Sequence, residues 1–461
     1  MTPKTDPIAA VSTPRGVGGV AMIRISGEGA VVCADRIFKP SSGMPLTDAA
    51  HARAYHGNIK RGGVTIDDGM ATVFYAPHSY TGEDTVEITC HGGVLITNEV
   101  LAAALEAGAR PAEAGEFTRW AFVSGKLSLS EAEAVGELIH AKTSAQLALS
   151  APGARRSLSS AADSLCSRLT ELIARVAVRI DYPEEDLADI DEAELLSETV
   201  SLCGELDALR ATYRTGRAVF EGIDTVICGR PNAGKSTLYN LFTGEDTAIV
   251  TDTPGTTRDT LTADVSAGTV LLHLSDTAGI RETEDKIEAI GVSRARDRIG
   301  TAELLITVHD SSVPPTDEDI EILSSPVTVK LAVINKTDLN DSAFAADYES
   351  LAHRAGAKPI LCALSERRGF DELVSAINYA FTDGELRLGT DAVITSARQS
   401  AEAEAAHASL LSAADALQAG LPVDIAVSEL EAALSALSRL DGREVADEVI
   451  SEIFSKFCVG K

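Results

Sequence analysis

The sequence predicts a multidomain chain in which a mainly parallel α/β domain is inserted in an all-α domain, with an α+β domain before both. Residues 216–382 alternate strand and helix patterns, which is typical of a parallel sheet with helical crossovers. Helical, alanine-rich patterns lie on both sides of that region, and each leaves a lopsided apolar face. We therefore expect the two helical stretches to pack on each other. The length of 461 residues corresponds to about three domains.

The predicted domain boundaries lie where these patterns change. The α+β domain is expected at 1–118, and the first half of the helical domain at 119–215. The α/β domain is expected at 216–382, and the second half of the helical domain at 383–461.

Composition limits the classes of function. The net charge is −29, from 40 basic and 69 acidic residues, which argues against this chain alone gripping a long stretch of nucleic acid. A local basic patch or a basic partner protein stays open. No apolar run approaches the roughly 18 residues of a membrane helix, and no signal-peptide core is present. Seven scattered cysteines without metal-ligand spacing indicate reduced thiols, so a cytoplasmic protein without membrane contact is expected.

The α+β domain is predicted from short strands and one long helix. The expected strands are Ile8–Val11, Val20–Ile25, Tyr55–Lys60, Ala71–Tyr75 and Asp84–Cys90, and the helix runs from Val94 to about Ala107. In the strand at 84–90 apolar and polar residues alternate. Glu87 is therefore predicted to lie opposite the apolar face, where it can serve a binding site without costly burial.

The first helical half shows helix start and stop signals. A helix is expected from Ser128 to Ala141, with Ser130 and Glu133 at the spacing of a capping box. Pro152 and Gly153 are predicted to break or kink a helix.

The α/β domain begins with a phosphate-binding motif. Gly229 to Thr237 reads Gly-Arg-Pro-Asn-Ala-Gly-Lys-Ser-Thr and lies between a predicted strand, Asp224–Cys228, and a predicted helix. Glycines let the backbone turn its N–H groups towards a phosphate, and the helix N-terminus faces the same point. Lys235 can reach the β- and γ-phosphates, and the Ser236 hydroxyl can ligate Mg²⁺.

Three later motifs follow predicted strands in the order that a GTPase requires. Asp276-Thr-Ala-Gly279 can hold Mg²⁺ through water and meet the γ-phosphate. Asn335-Lys-Thr-Asp338 selects guanine, because the Asp338 carboxylate can accept two bonds that adenine cannot donate. Cys362-Ala-Leu364 would supply a main-chain contact to the guanine oxygen; Ser-Ala-Lys is usual there. The residues 216–382 are therefore predicted to be a P-loop GTPase domain.

The hydrolytic residue is less obvious than the binding residues. GTPases of the Ras type place a glutamine directly after Asp-x-x-Gly, but this chain has Ile280 there. Glu282 is the nearest carboxylate and the predicted water-orienting residue, with Glu284 as the alternative. Arg281 could stabilise charge, but we favour a solvated role. In the switch loop, Thr257 is expected to close over Mg²⁺.

These motifs, together with several at both ends of the chain, resemble the bacterial tRNA-modification GTPases of the MnmE (TrmE) family. The resemblance covers essentially the whole chain. It is carried by Ile8-Ala-Ala-Val-Ser-Thr-Pro-Arg-Gly16, Ile23-Arg-Ile-Ser-Gly27, Tyr80-Thr-Gly-Glu-Asp84, His91-Gly-Gly93, Gly115-Glu-Phe-Thr-Arg119, Ala132-Glu-Ala134, Asp181-Tyr-Pro-Glu-Glu-Asp186 and Phe457-Cys-Val-Gly-Lys461.

The resemblance implies a fold, partners and a reaction. It implies a folate-binding N-terminal α+β domain that also forms a homodimer, a split helical domain, and an inserted GTPase domain. With an FAD-dependent partner, MnmG (GidA), in a heterotetramer or larger complex, such proteins add a carboxymethylaminomethyl-type group at C5 of the wobble uridine, position 34, of certain tRNAs. The one-carbon unit comes from a tetrahydrofolate, with 5-formyltetrahydrofolate as the implied ligand. Hydrolysis is activated by K⁺-dependent dimerisation of the GTPase domains.

The resemblance also assigns residues. It places K⁺ on Asn232, Thr251, Thr253 and Thr256, the water-orienting role on Glu282, and folate on Arg24, Glu87, Lys126 and Lys461. Cys458 is implied to lie near the one-carbon site, although a small apolar filler is the alternative reading. The full set predicted to contact GTP is Asn232, Ala233, Gly234, Lys235, Ser236, Thr237, Thr251, Asp252, Thr253, Pro254, Gly255, Thr256, Thr257, Asp276, Thr277, Ala278, Gly279, Asn335, Lys336, Thr337, Asp338, Cys362, Ala363 and Leu364.

A second function is considered beside tRNA modification. A regulatory or ribosome-assembly GTPase would also carry these nucleotide motifs. Such a protein is expected to have a basic RNA-binding module after the GTPase domain, whereas an acidic helical block follows here. The sequence therefore favours the tRNA-modification GTPase.

Overall fold

The structure is a computed structural model that describes residues 6–181, 192–244, 248–249, 262–275, 300, 302–339, 343–382, 387–443 and 445–461. The chain divides into two compact units. One unit comprises Met1–Ile139 together with Ser438–Lys461, and the other comprises His140–Leu437. Among the described residues, no helix combines the length and the apolar character that a membrane span needs.

The first unit is built on a seven-stranded sheet. Its elements are β1 (Ile8–Val11), β2 (Val20–Ser26), α1 (Ala30–Ile37), β3 (Phe38–Pro40), a 3₁₀ turn (Leu46–Asp48), β4 (Ala54–Arg61), β5 (Val64–Phe74), β6 (Thr85–His91), α2 (Val94–Glu106), β7 (Arg110–Pro111), α3 (Glu116–Val123) and α4 (Leu129–His140). The strand order is β3-β4-β5-β6-β2-β1-β7, and β1 and β7 form the one parallel pair among these strands. The predicted strands and the predicted helix at 94–107 are confirmed within one residue, except that β5 begins at Val64 and not at Ala71.

The sheet places its apolar side chains on one face, where α1 and α2 cover them. Ile23 and Ile25 of β2 and Val86 and Ile88 of β6 are fully buried in this core. Burial of such side chains stabilises a fold by about 1.5–3 kcal/mol each. Because side chains alternate along a strand, Glu87 lies on the other face, as predicted, and is partly exposed.

The last residues of the chain complete the first unit. The C-terminal helix Asp447–Ser455 carries Phe454, which packs with Phe457 against Leu129 and Ala132 of α4. The Ser130 hydroxyl donates to the carbonyl of Leu440 (3.1 Å). Residues more than 300 positions apart thus share one core.

The predicted capping box on α4 is wrong by two residues. The Ser128 hydroxyl accepts from the N–H of Glu131 (3.1 Å), and the Glu131 carboxylate accepts from the N–H of Ser128 (2.8 Å). Ser130, by contrast, lies inside the helix. Both serines are followed by a glutamate three residues later, so the sequence offers two boxes, and the helix starts at the outer one.

The second unit contains the α/β region and most of the remaining helices. Its elements are α5 (Ser144–Leu149), α6 (Pro152–Asp181), α7 (Glu192–Ala211), α8 (Tyr213–Phe220), β8 (Ile223–Cys228), α9 (Lys235–Thr243), β9 (Ala248–Ile249), β10 (Thr262–Ala267), β11 (Val270–Ser275), β12 (Leu304–Asp310), α10 (Asp317–Leu323), β13 (Val329–Asn335), α11 (Ala345–Arg354), β14 (Lys358–Leu361), a 3₁₀ turn (Leu364–Glu366), α12 (Phe370–Phe381), α13 (Ala397–Gln418) and α14 (Val423–Leu440). The predicted break at Pro152 is confirmed, because α6 begins there, at a position that tolerates a missing N–H.

The sheet of the second unit is mainly parallel, as predicted. The order is β14-β13-β12-β8-β11-β10-β9, in which β14, β13, β12, β8 and β11 are parallel and β10 runs antiparallel to both neighbours. The carboxyl ends of parallel strands meet at one edge, and ligands bind there in open α/β sheets. The segments after β8, β12, β13 and β14 therefore converge.

Helices from before and after the α/β region pack together, as expected. Helix α7 lies against α13, and Arg210 joins them through Glu404 (2.9 Å) and His407 (2.6 Å). Residues 438–461 belong to the first unit instead.

Candidate nucleotide-binding site

The phosphate loop has the backbone shape that its sequence requires. Gly229 and Gly234 have φ angles of 143° and 115°, which disfavour any side chain. A Cβ on Gly229 would lie 2.2 Å from the carbonyl of Val308, and one on Gly234 2.2 Å from Nδ2 of Asn335. Asn232 holds a left-handed conformation without being glycine (φ 60°). Both glycines are thus required by their conformation and by a close neighbour, which is the backbone of Val308 for Gly229 and the side chain of Asn335 for Gly234.

Lys235 begins α9 and lies across the loop. Its Nζ donates to the carbonyls of Gly229 (2.7 Å) and Arg230 (2.8 Å). Burial lowers the pKa of Lys235 below its ordinary value, because a desolvated ammonium is disfavoured. Phosphate oxygens would replace these carbonyls as stronger, charged acceptors. Ser236 and Thr237, in the first turn of α9, are exposed.

Asn335 joins three of the predicted motifs. Its side chain is buried, Nδ2 donates to the carbonyl of Ala233 (2.9 Å), and Oδ1 accepts from the N–H of Leu364 (3.0 Å). Thr337 donates both its N–H (3.1 Å) and its hydroxyl (3.0 Å) to the carbonyl of Cys362. The structure thus brings together the phosphate loop, the motif 335–338 and the segment 362–364.

The guanine-selecting motif presents its carboxylate to solvent. Asp338 is exposed, whereas Lys336 adopts a left-handed backbone (φ 66°). The Lys336 amine donates to Asp310 Oδ2 (2.6 Å). Burial alone would raise the pKa of Asp310, but the bonds from Lys336 and Ser312 hold it below its usual value. Asp310 was not predicted from the sequence, although a carboxylate at the end of a third parallel strand is a usable signal.

The segment 362–364 contributes through its main chain. The side chains of Cys362, Ala363 and Leu364 are buried. Burial raises the pKa of Cys362 to about 12, so its thiol stays neutral. The N–H of Ala363 donates to the carbonyl of Arg368 (3.0 Å). A guanine oxygen that bound this N–H would have to share or displace that bond.

The rest of the predicted GTP site lies outside the described residues. These positions are Thr251, Asp252, Thr253, Pro254, Gly255, Thr256, Thr257, Asp276, Thr277, Ala278, Gly279 and Glu282, together with Ile280, Arg281 and Glu284. Their predicted roles stay predictions.

A second candidate site lies in the first unit, where strand register sets two charges side by side. Arg24 of β2 is directly opposite Glu87 of β6. Nε and Nη2 of Arg24 both donate to Oε1 of Glu87 (3.0 and 2.8 Å). The guanidinium lies 4.9 Å from the ring centre of Tyr80 and 5.5 Å from that of Phe117. These two rings were not predicted as site residues.

The same site contains a buried hydrogen-bond donor, on Arg24, that has no acceptor among the described residues. Arg24 is 7% exposed, and its Nη1 is buried without a hydrogen-bond partner among the described residues. An unsatisfied buried donor costs about 1–3 kcal/mol. A ligand with a suitably placed oxygen would remove that cost.

Two predicted lysines lie in this region. Burial and the neighbouring Arg24 lower the pKa of Lys461, while Glu87 opposes that shift. The carbonyls of Lys461 and Gly460 accept from the N–H of Phe117 (3.2 Å) and from the Ser12 hydroxyl (3.0 Å). Lys126 is exposed and donates to the carbonyl of Pro77 (2.9 Å), three residues before Tyr80.

Cys458 does not fill the core. Its side chain is exposed, whereas Phe454 and Phe457 are buried. Its carbonyl accepts from the N–H groups of Gly115 (3.5 Å) and Lys461 (3.3 Å). The interpretation of Cys458 as an apolar filler is therefore wrong.

Similarity to known proteins extends over almost the whole chain. A family model described as the MnmE helical domain matches residues 129–458, and one described as the GTP-binding protein TrmE N-terminus matches residues 7–126. The tRNA modification GTPase MnmE of Geobacillus thermodenitrificans is 40% identical over 461 residues, covering 99% of this chain and 99% of that protein. The chain belongs to the MnmE family.

Other relatives agree with this assignment. The tRNA modification GTPase MnmE of Lactobacillus delbrueckii subsp. bulgaricus is 39% identical over 459 residues, covering 99% of this chain and 98% of that protein. The MnmE of Symbiobacterium thermophilum is 40% identical, covering 98% and 99%. Among solved structures, the G domain of the T. maritima FeoB iron transporter matches 34% of this chain and 98% of its own at 25% identity, with a TM-score of 0.26 that is too low to support a fold assignment.

Membership of the MnmE family settles the general activity. The chain is a GTPase of tRNA modification, a hydrolase that splits GTP. The predicted membership of the MnmE family and the predicted enzyme class are confirmed. Of the two functions considered from the sequence, the tRNA-modification GTPase is favoured over the regulatory or ribosome-assembly GTPase.

Proposed function

We propose that this chain, with an FAD-dependent partner of the MnmG (GidA) type, uses GTP hydrolysis to add a carboxymethylaminomethyl-type group at C5 of the wobble uridine of certain tRNAs. The observation that carries the proposal is the full-length relationship to tRNA modification GTPases, at 39–40% identity. The packing of the phosphate loop against the guanine motif through Asn335 supports GTP as the nucleotide. In this proposal the chain forms a homodimer in the cytoplasm and acts on tRNA together with the FAD-dependent partner.

The proposed domain roles follow the predicted boundaries. Residues 1–118 bind folate and form the homodimer, 119–215 and 383–461 form the helical domain, and 216–382 form the GTPase domain. The mainly parallel sheet of the second unit supports the role of residues 216–382.

The folate proposal is supported by the fit of the second site. A pteridine presents an amino-pyrimidine edge that needs a carboxylate, and Glu87 has an oxygen, Oε2, that takes no donor among the described residues. Nη1 of Arg24 has no hydrogen-bond partner within the described part of the chain, and Tyr80 and Phe117 offer flat apolar surfaces. Lys126 and Lys461 would hold the anionic glutamyl tail. When bound, the tetrahydrofolate supplies the one-carbon unit, and Cys458 is a candidate for the modification chemistry.

The proposed hydrolysis site needs two kinds of cation. Ser236, Thr257 and, through water, Asp276 would hold Mg²⁺. Asn232, Thr251, Thr253 and Thr256 would hold K⁺ when two GTPase domains meet. Glu282 would orient the attacking water. The exposure of Asn232 and Ser236 at the phosphate loop supports their share of this arrangement.

A deletion strain tests the proposed function. Mass spectrometry of its tRNA nucleosides should show the loss of the modified wobble uridine, and the wild-type gene should restore it. A Glu282→Ala gene should fail to restore it, while the purified variant binds GTP with wild-type affinity and hydrolyses it at least about 100-fold more slowly. Unchanged nucleosides after deletion would reject the proposed function. Equal loss of GTP binding and hydrolysis would reject only the role of Glu282.

A further inference from the structure

A buried charged network lies behind the phosphate loop. Arg230, the second residue of the loop, directs its side chain to the segment before α10 and to α10 itself. Nε of Arg230 lies 3.3 Å from Oδ2 of Asp319. Nη2 donates to the Tyr348 hydroxyl (2.8 Å) and to the carbonyl of Pro314 (3.3 Å). The loop is thus tied to two helices that carry none of the predicted nucleotide-binding residues.

Asp319 is the centre of this network. It has no exposed surface, yet it keeps several donors. Oδ2 accepts from the N–H (2.9 Å) and hydroxyl (2.8 Å) of Thr316, and Oδ1 accepts from Nδ1 of His309 (2.9 Å). Burial by itself would raise the pKa of Asp319, but the bonds from His309 and Thr316 hold it below its ordinary value. A fully buried, ionised carboxylate therefore lies next to the guanidinium of Arg230.

His309 and Tyr348 add further buried contacts to the network. His309 donates or accepts through Nε2 with the Thr307 hydroxyl (2.9 Å), and its ring lies 4.9 Å from that of Tyr348 at an angle of 31°. Tyr348 and His309 are each 1% exposed. Buried ion pairs contribute little net stability, and their best-attested use is to fix one arrangement of the chain. Here the arrangement that they fix includes the backbone of Arg230.

That backbone lies where the loop conformation is decided. Arg230 follows Gly229 (φ 143°), and two residues later Asn232 holds a left-handed conformation (φ 60°), which is disfavoured for residues other than glycine. The carbonyl of Arg230 also accepts from the Lys235 amine. A side chain anchored at one end therefore fixes both the strained turn and one resting contact of the phosphate-binding lysine.

We propose that Asp319 is a positioning residue for phosphate binding, and that it acts by anchoring Arg230 so that the loop is preorganised for the phosphates of GTP. Asp319 touches no nucleotide and is not catalytic. If Asp319 acted only through its charge, its loss would have the opposite effect on affinity. Removal of a negative charge near the loop should strengthen the binding of a phosphate anion. The sign of the effect therefore distinguishes positioning from charge.

The test is a double-mutant cycle on GDP affinity in the full-length chain, measured with a fluorescent GDP analogue. Asp319→Asn keeps the size of the side chain and should weaken GDP binding about 10-fold, which is about 1.4 kcal/mol. Arg230→Met should weaken it at least as much. The double variant should be no weaker than Arg230→Met alone, because the two residues act as one unit. Asp317→Asn, an exposed aspartate in the first turn of the same helix, removes the same charge and should leave the affinity unchanged.

Each outcome decides the proposal. Unchanged or tighter GDP binding by a folded Asp319→Asn variant overturns it, and so do effects that add in the double variant. If Asp319→Asn yields no folded protein, the decision passes to Arg230→Lys, which keeps the positive charge but cannot contact Asp319, Tyr348 and Pro314 together. The exposed Arg354→Lys is its control. Weaker binding by Arg230→Lys then supports the anchor, and unchanged binding overturns it.

Discussion

At the residue scale, the pair of Arg24 and Glu87 shows how strand register builds a site. The two residues face each other on β2 and β6, and both bonds from Arg24 end on one carboxylate oxygen. Alternation along the sequence at 84–90 was enough to place Glu87 on the open face. The approach of Tyr80 and Phe117 to the guanidinium could not be predicted, because those residues come from a loop and from α3.

The first prediction concerns this carboxylate. Glu87→Gln should weaken the binding of 5-formyltetrahydrofolate by about 10-fold or more, because a hydrogen bond to a charged group contributes about 1.5–3 kcal/mol. GTP affinity should not change. Isothermal titration calorimetry with each ligand measures both. Glu28→Gln, an exposed glutamate of the same unit, is the control. A folate isotherm identical to that of the wild type would remove Glu87 from the site.

Asn335 shows both the strength and the limit of sequence reasoning. The motif 335–338 was recognised from its residue types and from its position after a predicted strand. That one amide bonds to both Ala233 and Leu364 could be seen only in the structure. The partnership of Arg230 with Asp319 is a clearer limit. The two residues are 89 positions apart, and a buried aspartate looks in the sequence like an ordinary capping residue of α10.

At the element scale, the start of the α/β region is tied to its antiparallel hairpin. His273 of β11 bonds to Asp264 of β10 (2.7 Å) and to the carbonyl of Glu221 (2.6 Å), and Asp264 also pairs with Lys142 (3.0 Å). A carbonyl and a carboxylate both accept, so each ring nitrogen has to carry a proton. Burial works to lower the pKa of His273, but these two bonds raise it above its ordinary value.

The second prediction follows from that pKa. The folded pKa of His273 lies above its unfolded value of about 6.5, so its contribution to stability is complete below that pH and is lost as the pH rises through the folded pKa. The thermal unfolding temperature of the wild type should therefore fall between pH 6 and pH 8.5 more than that of His273→Gln.

Scanning calorimetry at the two pH values makes this comparison. His353→Gln, an exposed histidine on α11, should keep the wild-type difference. If His273→Gln and the wild type showed equal pH dependence, the doubly donating imidazolium would be ruled out.

The presence of a strand or helix was predicted better than the residues at which it begins and ends. The strands from β8 to β14 that carry motifs were found because buried parallel strands are short apolar runs before glycine, aspartate or asparagine. The capping box of α4 was misplaced because two serine–glutamate pairs compete two residues apart. Local sequence cannot say which of the two positions the tertiary packing leaves outside the helix.

At the scale of the whole molecule, activation is proposed to need two chains and a monovalent cation. The third prediction is that replacing K⁺ by Na⁺ at equal ionic strength slows GTP hydrolysis strongly. A cation between the phosphates would take the place of an arginine finger, which contributes about 10³–10⁵ in rate. The hydrolysis rate in the two salts measures the effect.

A matched pair of variants assigns the cation site. Asn232→Gly keeps the left-handed backbone (φ 60°) and removes the side chain, so it should lose most of the K⁺ stimulation. Asn240→Ala, on the exposed side of α9, should keep it. Equal rates of the wild type in both salts would take Asn232 out of this role.

The packing of Phe454 and Phe457 on α4 has a consequence for biosynthesis. A ribosome releases residues 1–139 long before residues 438–461, and the whole of 140–437 emerges between them. At about 5–20 residues per second, that interval lasts roughly 15–60 s. During it, the nascent N-terminal segment exposes the apolar surface around Leu129 and Ala132, which makes that surface a natural point of contact for chaperones until translation ends.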